Sequence, residues 1–129
     1  MIIVKNNFIP FKGYKAMSFW PFIFVRKECN FDKVDERHEN IHGRQQVEMT
    51  IVGVFIAALM FALEFEWWSL CAIPLFYIWY IIEWVIRLFI NPNPYRSISF
   101  EQEAYKNEND PEYLDYREIF SWTRYLFKS

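Results

Sequence analysis

Met49 to Leu63 runs for fifteen residues without a charge, and Ser69 to Ile90 follows as a second apolar run whose only charges are Glu83 and Arg87. Backbone inside such stretches must satisfy its own hydrogen bonds, and a helix does so within one segment. A bilayer span needs about 20 residues. The second run reaches that length. The first is short, but a segment that reads as helix feeds straight into it and supplies the missing turn. Glu64-Phe65-Glu66-Trp67-Trp68 separates the runs, with tryptophans where an aromatic belt lies. The expectation is a two-helix membrane hairpin, with the first helix within 34–63 and the second over 67–90. Glu83 and Arg87 stand four residues apart and can pair on one helix face. Such pairs face protein or water rather than lipid tails.

At 129 residues the chain suits one compact domain. Aromatics make up 22% of it, a load that fits a bilayer interface better than a small soluble core. The formal net charge is -2, and no basic stripe interleaves with aromatics, so nucleic acid is excluded as a partner. Lys and Arg cluster before the first run and after the second, while the tip between them has none. By the positive-inside rule both termini face the cytoplasm. Pro10 and Gly13 interrupt the N-terminal residues early, which therefore do not read as a secretory leader. Cys29 and Cys71 lie far apart and lack zinc-site spacing. They are expected as reduced, packed thiols.

Residues 1–33 read as extended. Ile2-Ile3-Val4 and Phe19 to Val25 are rich in β-branched and aromatic residues, with turn punctuation at Pro10 and Gly13. Pro21 suits an edge strand or a strand start. The fold class expected is therefore mainly α with a small N-terminal β-hairpin. Asp32 or Asp35 is placed to cap the helix that begins near Val34. After Asn91-Pro92-Asn93-Pro94, Ser99-Phe100-Glu101-Gln102 has the pattern of a capping box for a helix from about Phe100 to Asn109. Pro111 then opens a last amphipathic helix, Glu112 to Phe127, whose Tyr113, Tyr116, Phe120 and Leu126 can pack on the domain or on lipid headgroups. Residues 99–129 thus hold two C-terminal helices.

The only two histidines of the chain sit in His38-Glu39-Asn40-Ile41-His42. Residues four apart on a helix project from one face. Two imidazoles so placed can grip one Zn2+ ion, and the glutamate between them can take a proton from an activated water. Average residue usage produces this HExxH pattern by chance in roughly a few chains per thousand of this size. Gly43 weakens the helix by about 1 kcal/mol against alanine; it is expected where another backbone approaches the metal. Gln45 and Gln46 fall one turn on, either bonding the imidazoles or substrate or lying on a solvated polar surface.

A catalytic zinc keeps three protein ligands. With no third histidine and poorly placed cysteines, a carboxylate must complete the set. The segment Phe100-Glu101-Gln102-Glu103-Ala104-Tyr105 supplies two, and the hairpin returns it to the histidine side. Glu101 and Glu103 lie roughly 200° apart on a helix, so only one of them faces the metal. Glu108, two turns from Glu101, is placed to support a ligand. Glu103 otherwise reads as a solvated glutamate.

His38-Glu39-Asn40-Ile41-His42 followed by Glu101-x-x-Ala104 resembles the gluzincin clan of metallopeptidases. It is most similar to the branch with the membrane-embedded CaaX-processing and heat-shock metalloproteases. His38 to Gln46 is also similar to small HExxH-xx-QQ membrane proteins. The resemblance implies Glu101 as third ligand, and an aspartate four residues beyond it that orients a histidine. Tyr105 stands there instead; its hydroxyl can bond an imidazole but brings no negative charge.

The functional expectation is zinc-dependent peptide-bond hydrolysis at the cytoplasmic membrane face. His38, His42 and Glu101 are the metal ligands and Glu39 the catalytic general base. A peptide or membrane-protein substrate and the lipid bilayer are the partners. The oxyanion donor is open among Tyr105 and tyrosines of the last helix. A non-enzymatic membrane hairpin protein with a degenerate or structural metal site is the alternative. A soluble helical protein that buries its hairpin by oligomerisation is a third.

Overall fold

The computed structural model describes residues 1–128. It is mainly helical, with a small three-stranded N-terminal sheet. Strands β1 (Ile2–Asn6), β2 (Ala16–Phe19) and β3 (Phe22–Arg26) pair in the order β1-β3-β2. β2 and β3 form the expected hairpin, antiparallel with Ser18 opposite Ile23. The apolar stretch from Phe19 to Val25 is not one strand. It contains the turn at Trp20-Pro21, as suits a proline that has no N–H to give a ladder. β1 adds in parallel to the other side of β3. Ile23 and Val25, both 0% exposed, point from β3 into the interior.

Helix α1 (Lys33–Ala62) carries the histidines and the first apolar run without interruption. Asp32 is its N-cap. The Asp32 side chain accepts from the Asp35 N–H, and the Asp35 side chain accepts from the Asp32 N–H. This reciprocal arrangement satisfies two of the donors a helix start leaves free. The second apolar run is not one helix. A 3₁₀ turn (Glu66–Ala72) meets α2 (Leu75–Ile90) at a 65° bend. Pro74 is the reason: it lacks the N–H that a continuous helix would use at that point. The 3₁₀ turn lies against α1 at Gly53, where any Cβ would collide with the carbonyl oxygen of Ala72.

α1 is long and apolar enough to cross a membrane, and only 33% of its apolar stretch is buried. Phe55, Phe61, Trp67, Trp68 and Phe89 are among the exposed large apolar side chains of this half.

Short helices α3 (Pro94–Ser97) and α4 (Ser99–Asn107) follow. Ser99 is the first residue of α4 and not its cap. Its N–H and Oγ both donate to the Glu83 carboxylate, each at 2.7 Å. The carboxylate of α2 thus takes the place of the expected Ser99–Gln102 capping box. Arg87 lies 3.3 Å from Glu83 and donates to the carbonyls of Leu126 and Lys128. The two charges of the second apolar run therefore face protein, where they pin both α4 and the C-terminal segment.

The last helix is also shorter than the sequence pattern suggests. It divides into α5 (Tyr113–Tyr116) and a 3₁₀ turn (Ser121–Tyr125). Part of its apolar face packs inward: Trp122 joins Met49, Phe76, Ile98 and Phe100 in the main apolar cluster, with Phe120 and Leu126 against it, while Tyr116 is exposed. Burying a side chain such as Phe100 completely is worth about 2–3 kcal/mol. A second cluster, Ile41, Ala104 and Tyr113, clamps α1 to α4 beside the histidines. Cys29 and Cys71 are unpaired, as expected, but Cys71 is exposed and not packed.

Candidate metal centre

α1 and α4 bring His38, His42 and Glu101 together, all three buried. The His38 Nε2 is 3.1 Å from the His42 Nε2. Glu101 Oε2 is 3.2 Å from His38 Nε2, and Oε1 is 3.4 Å from His42 Nε2. Ligand bonds of about 2.0–2.1 Å around a tetrahedral zinc place neighbouring donor atoms roughly 3.3–3.4 Å apart. The two imidazole nitrogens, and a carboxylate oxygen of Glu101 against each of them, lie at separations close to that.

The other nitrogen of each ring is held from behind. His38 Nδ1 lies 2.8 Å from Glu108 Oε2, and His42 Nδ1 lies 2.8 Å from Gln45 Oε1. Both oxygens can only accept, so in each neutral ring Nδ1 carries the proton and Nε2 offers a lone pair. The Gln45 amide has its own direction fixed, because its Nε2 donates to the Phe100 carbonyl and to Glu103. Two lone pairs and a carboxylate then converge with no proton of their own between them. Such a donor set fits a divalent cation.

Glu101 is 3% exposed. Burial by itself raises its carboxyl, but in metal-free protein the two imidazoles, when they carry a proton, outweigh burial and hold it well below the ordinary carboxylate range. Tyr80 donates to Glu101 Oε1 at 2.8 Å. Burial first, and the Glu101 charge second, push the Tyr95 phenol up, so it stays a donor.

Several expectations are corrected here. Tyr105 does not hydrogen-bond an imidazole in place of the missing aspartate. Its ring and that of His38 meet in an edge-to-face arrangement at 4.5 Å, Arg96 lies 4.0 Å over the Tyr105 ring, and Glu108 supplies the negative charge instead. Glu103 is not solvated: it is 0% exposed and held by Gln45, Tyr113 and Arg117. Gln45 and Gln46 are likewise buried. Gln45 bonds the imidazole. Gln46 ties α1 to the sheet by donating to Ser18 and accepting from the Trp20 N–H. Gly43 admits the Met1 side chain rather than a backbone. The tyrosines of the last segment bond elsewhere, Tyr113 to Glu103 and Tyr116 to Asp110.

A cavity of about 440 Å³ opens beside the cluster. Glu39, His42 and Glu101 form its polar floor. Pro10, Phe11 and Tyr14 of the N-terminal loop, β2, and Tyr77, Tyr80, Ile81 and Trp84 of α2 form walls that are largely apolar. Arg26, 4% exposed, holds the loop in place by donating to the Pro10 carbonyl at 2.7 Å. Tyr77, Tyr80 and Trp84 are spaced by three and four residues, which is the sequence signal that marks them as one face of α2.

No known family, no curated protein and no solved structure matches this chain.

Proposed function

We propose that the chain is a membrane-associated zinc-dependent hydrolase acting on peptide bonds. The observation that carries this reading is the buried His38–His42–Glu101 triangle with Glu39 beside it on the cavity floor. A bound zinc lowers the pKa of a water to around 7 and polarises a carbonyl. His38, His42 and Glu101 would hold the ion, and Glu108 and Gln45 would keep the two Nε2 atoms aimed at it. The Glu39 carboxylate accepts the proton of the water and returns it to the leaving amine nitrogen. The Tyr95 phenol lines the cavity beside Glu101 and takes the place of the oxyanion donors expected further along the chain, while the Tyr80 proton is held by Glu101. The cavity volume falls in the range of sites that enclose a few residues of an extended ligand. Its apolar walls favour a hydrophobic peptide segment.

The bilayer reading is supported by the length of α1 and by the exposed apolar side chains of the half that holds the 3₁₀ turn. In this arrangement α1 and the bent second run form the hairpin. The cationic residues at its open end keep the termini and the cavity on the cytoplasmic face. Membrane proteins or membrane-proximal peptides are then the substrates.

Purified protein assayed on a mixed peptide library tests the proposal. Cleavage that requires zinc and is lost in Glu39→Gln, with zinc still bound, is the expected result. Cleavage retained by Glu39→Gln removes the assignment.

A further inference from the structure

We propose that Glu103 and Arg117 are positioning residues for the metal centre: acting through Gln45, they keep the ring proton of His42 on Nδ1, so that the Nε2 facing the ion stays free of it. The inference rests on the reading that His38, His42 and Glu101 hold a divalent cation.

An amide side chain has two ends of nearly the same shape and opposite hydrogen-bonding sense. If Gln45 were turned over, its NH2 would face His42 Nδ1. The proton of a neutral ring would then move to Nε2, where it would point at the ion and block it. What prevents the turn is the far end of Gln45. Its Nε2 lies 2.8 Å from Glu103 Oε2 and 3.1 Å from the Phe100 carbonyl. Gln45 and Glu103 are both 0% exposed, so no solvent replaces these partners. The reversed amide would set a carbonyl oxygen against two acceptors.

An isolated buried carboxylate is costly, so Glu103 needs partners of its own. Tyr113 donates to it at 2.7 Å. Arg117, its side chain 3% exposed, spans Glu103 and Glu48. Arg117 lies in the segment after α5, more than a turn of chain beyond every residue that faces the cavity. The order Arg117, Glu103, Gln45, His42 is therefore a continuous line of hydrogen bonds from the C-terminal segment to the Nδ1 side of the imidazole, opposite the donor Nε2. His38 has a separate support in Glu108 and lies outside this line.

Two readouts test this: zinc affinity by chelator competition, and the imidazole tautomers of metal-free protein from two-bond ¹⁵N–¹H spectra at alkaline pH. Glu103→Gln is expected to weaken zinc binding about 10- to 100-fold. It should convert His42 from a single Nδ1–H form to a mixture, while His38 keeps its tautomer. Arg117→Lys keeps the charge and loses the fork, so a smaller loss in the same direction is expected. Glu103→Gln protein that binds zinc within threefold of wild type, with His42 unchanged, overturns the inference. If Glu103→Gln fails to fold, the wild type decides: a metal-free His42 protonated at Nε2 overturns the inference, and one protonated at Nδ1 upholds it. Wild-type protein that binds no zinc at all is a different outcome. It ends the metal reading, and the His42 tautomer still tests the hydrogen-bonded line.

Discussion

His38 Nδ1 and Glu108 Oε2 lie 2.8 Å apart, joining the first histidine of α1 to the residue that closes α4. Glu101 and Glu108 are two helical turns apart and so share a face. One carboxylate meets the coordinating side of the imidazole and the other meets its back. The aspartate expected at the Tyr105 position is thus replaced by a longer acid one turn further on.

Glu108→Ala is expected to lower zinc affinity about 10- to 100-fold, because His38 loses the acceptor that fixes its ring. Tyr105→Phe removes only a hydroxyl that touches neither imidazole nitrogen and should change affinity less than threefold. Chelator competition measures both. The reverse order of effects would return the supporting role to Tyr105.

Glu83 links α2 to the start of α4, and Arg87 neutralises it. Glu83→Ala leaves a buried guanidinium without its carboxylate and removes the acceptor for the Ser99 N–H. A destabilisation of about 3–5 kcal/mol is expected. Thermal unfolding in detergent should show a large fall in midpoint. A Glu83→Ala protein as stable as wild type would show that Ser99 finds another partner.

Gly53 admits the backbone at Ala72 against α1. Alanine there gains about 1 kcal/mol of helix propensity and loses about 1–3 kcal/mol to overpacking against a carbonyl that cannot step aside. Net destabilisation of Gly53→Ala is expected in the same assay, and stabilisation would mean the 3₁₀ turn is free to move.

Acid acts on the site in two ways. Zinc competes with protons for the imidazoles, so zinc affinity should fall as pH is lowered. In metal-free protein the Glu101 carboxyl is held below its ordinary value of 4.5. A group depressed in the folded state contributes stability above the unfolded value and loses it as pH falls below. The stability advantage of wild type over Glu101→Gln should therefore be full above pH 4.5 and shrink below it. Denaturant titrations across that range check the sign.

The site was largely legible in the sequence. Two histidines four apart on a strongly capped helix, and a glutamate at the start of a helix that a hairpin returns to them, suffice to place three donors. Sequence separation hid the rest. Nothing local marks Glu103 as buried, since its partners Arg117 and Gln45 come from other elements. The periodic aromatics of residues 112–127 suggested one amphipathic helix. Tyr113 and Trp122 are buried, Tyr116 and Phe127 are exposed, and the chain bends to place Trp122 on Phe100; core packing overrides local propensity. Pro74 was available as a break in the second apolar run, but hydropathy alone passes over it.

The most direct measurement is zinc K-edge absorption on detergent-purified protein, with metal counted per chain. One zinc per chain, with two imidazole nitrogens and a carboxylate oxygen at about 2.0–2.1 Å, lost in both His38→Ala and His42→Ala, is the expected result. Protein that takes up no stoichiometric zinc, or binds it equally well without either histidine, would contradict the existence of the centre.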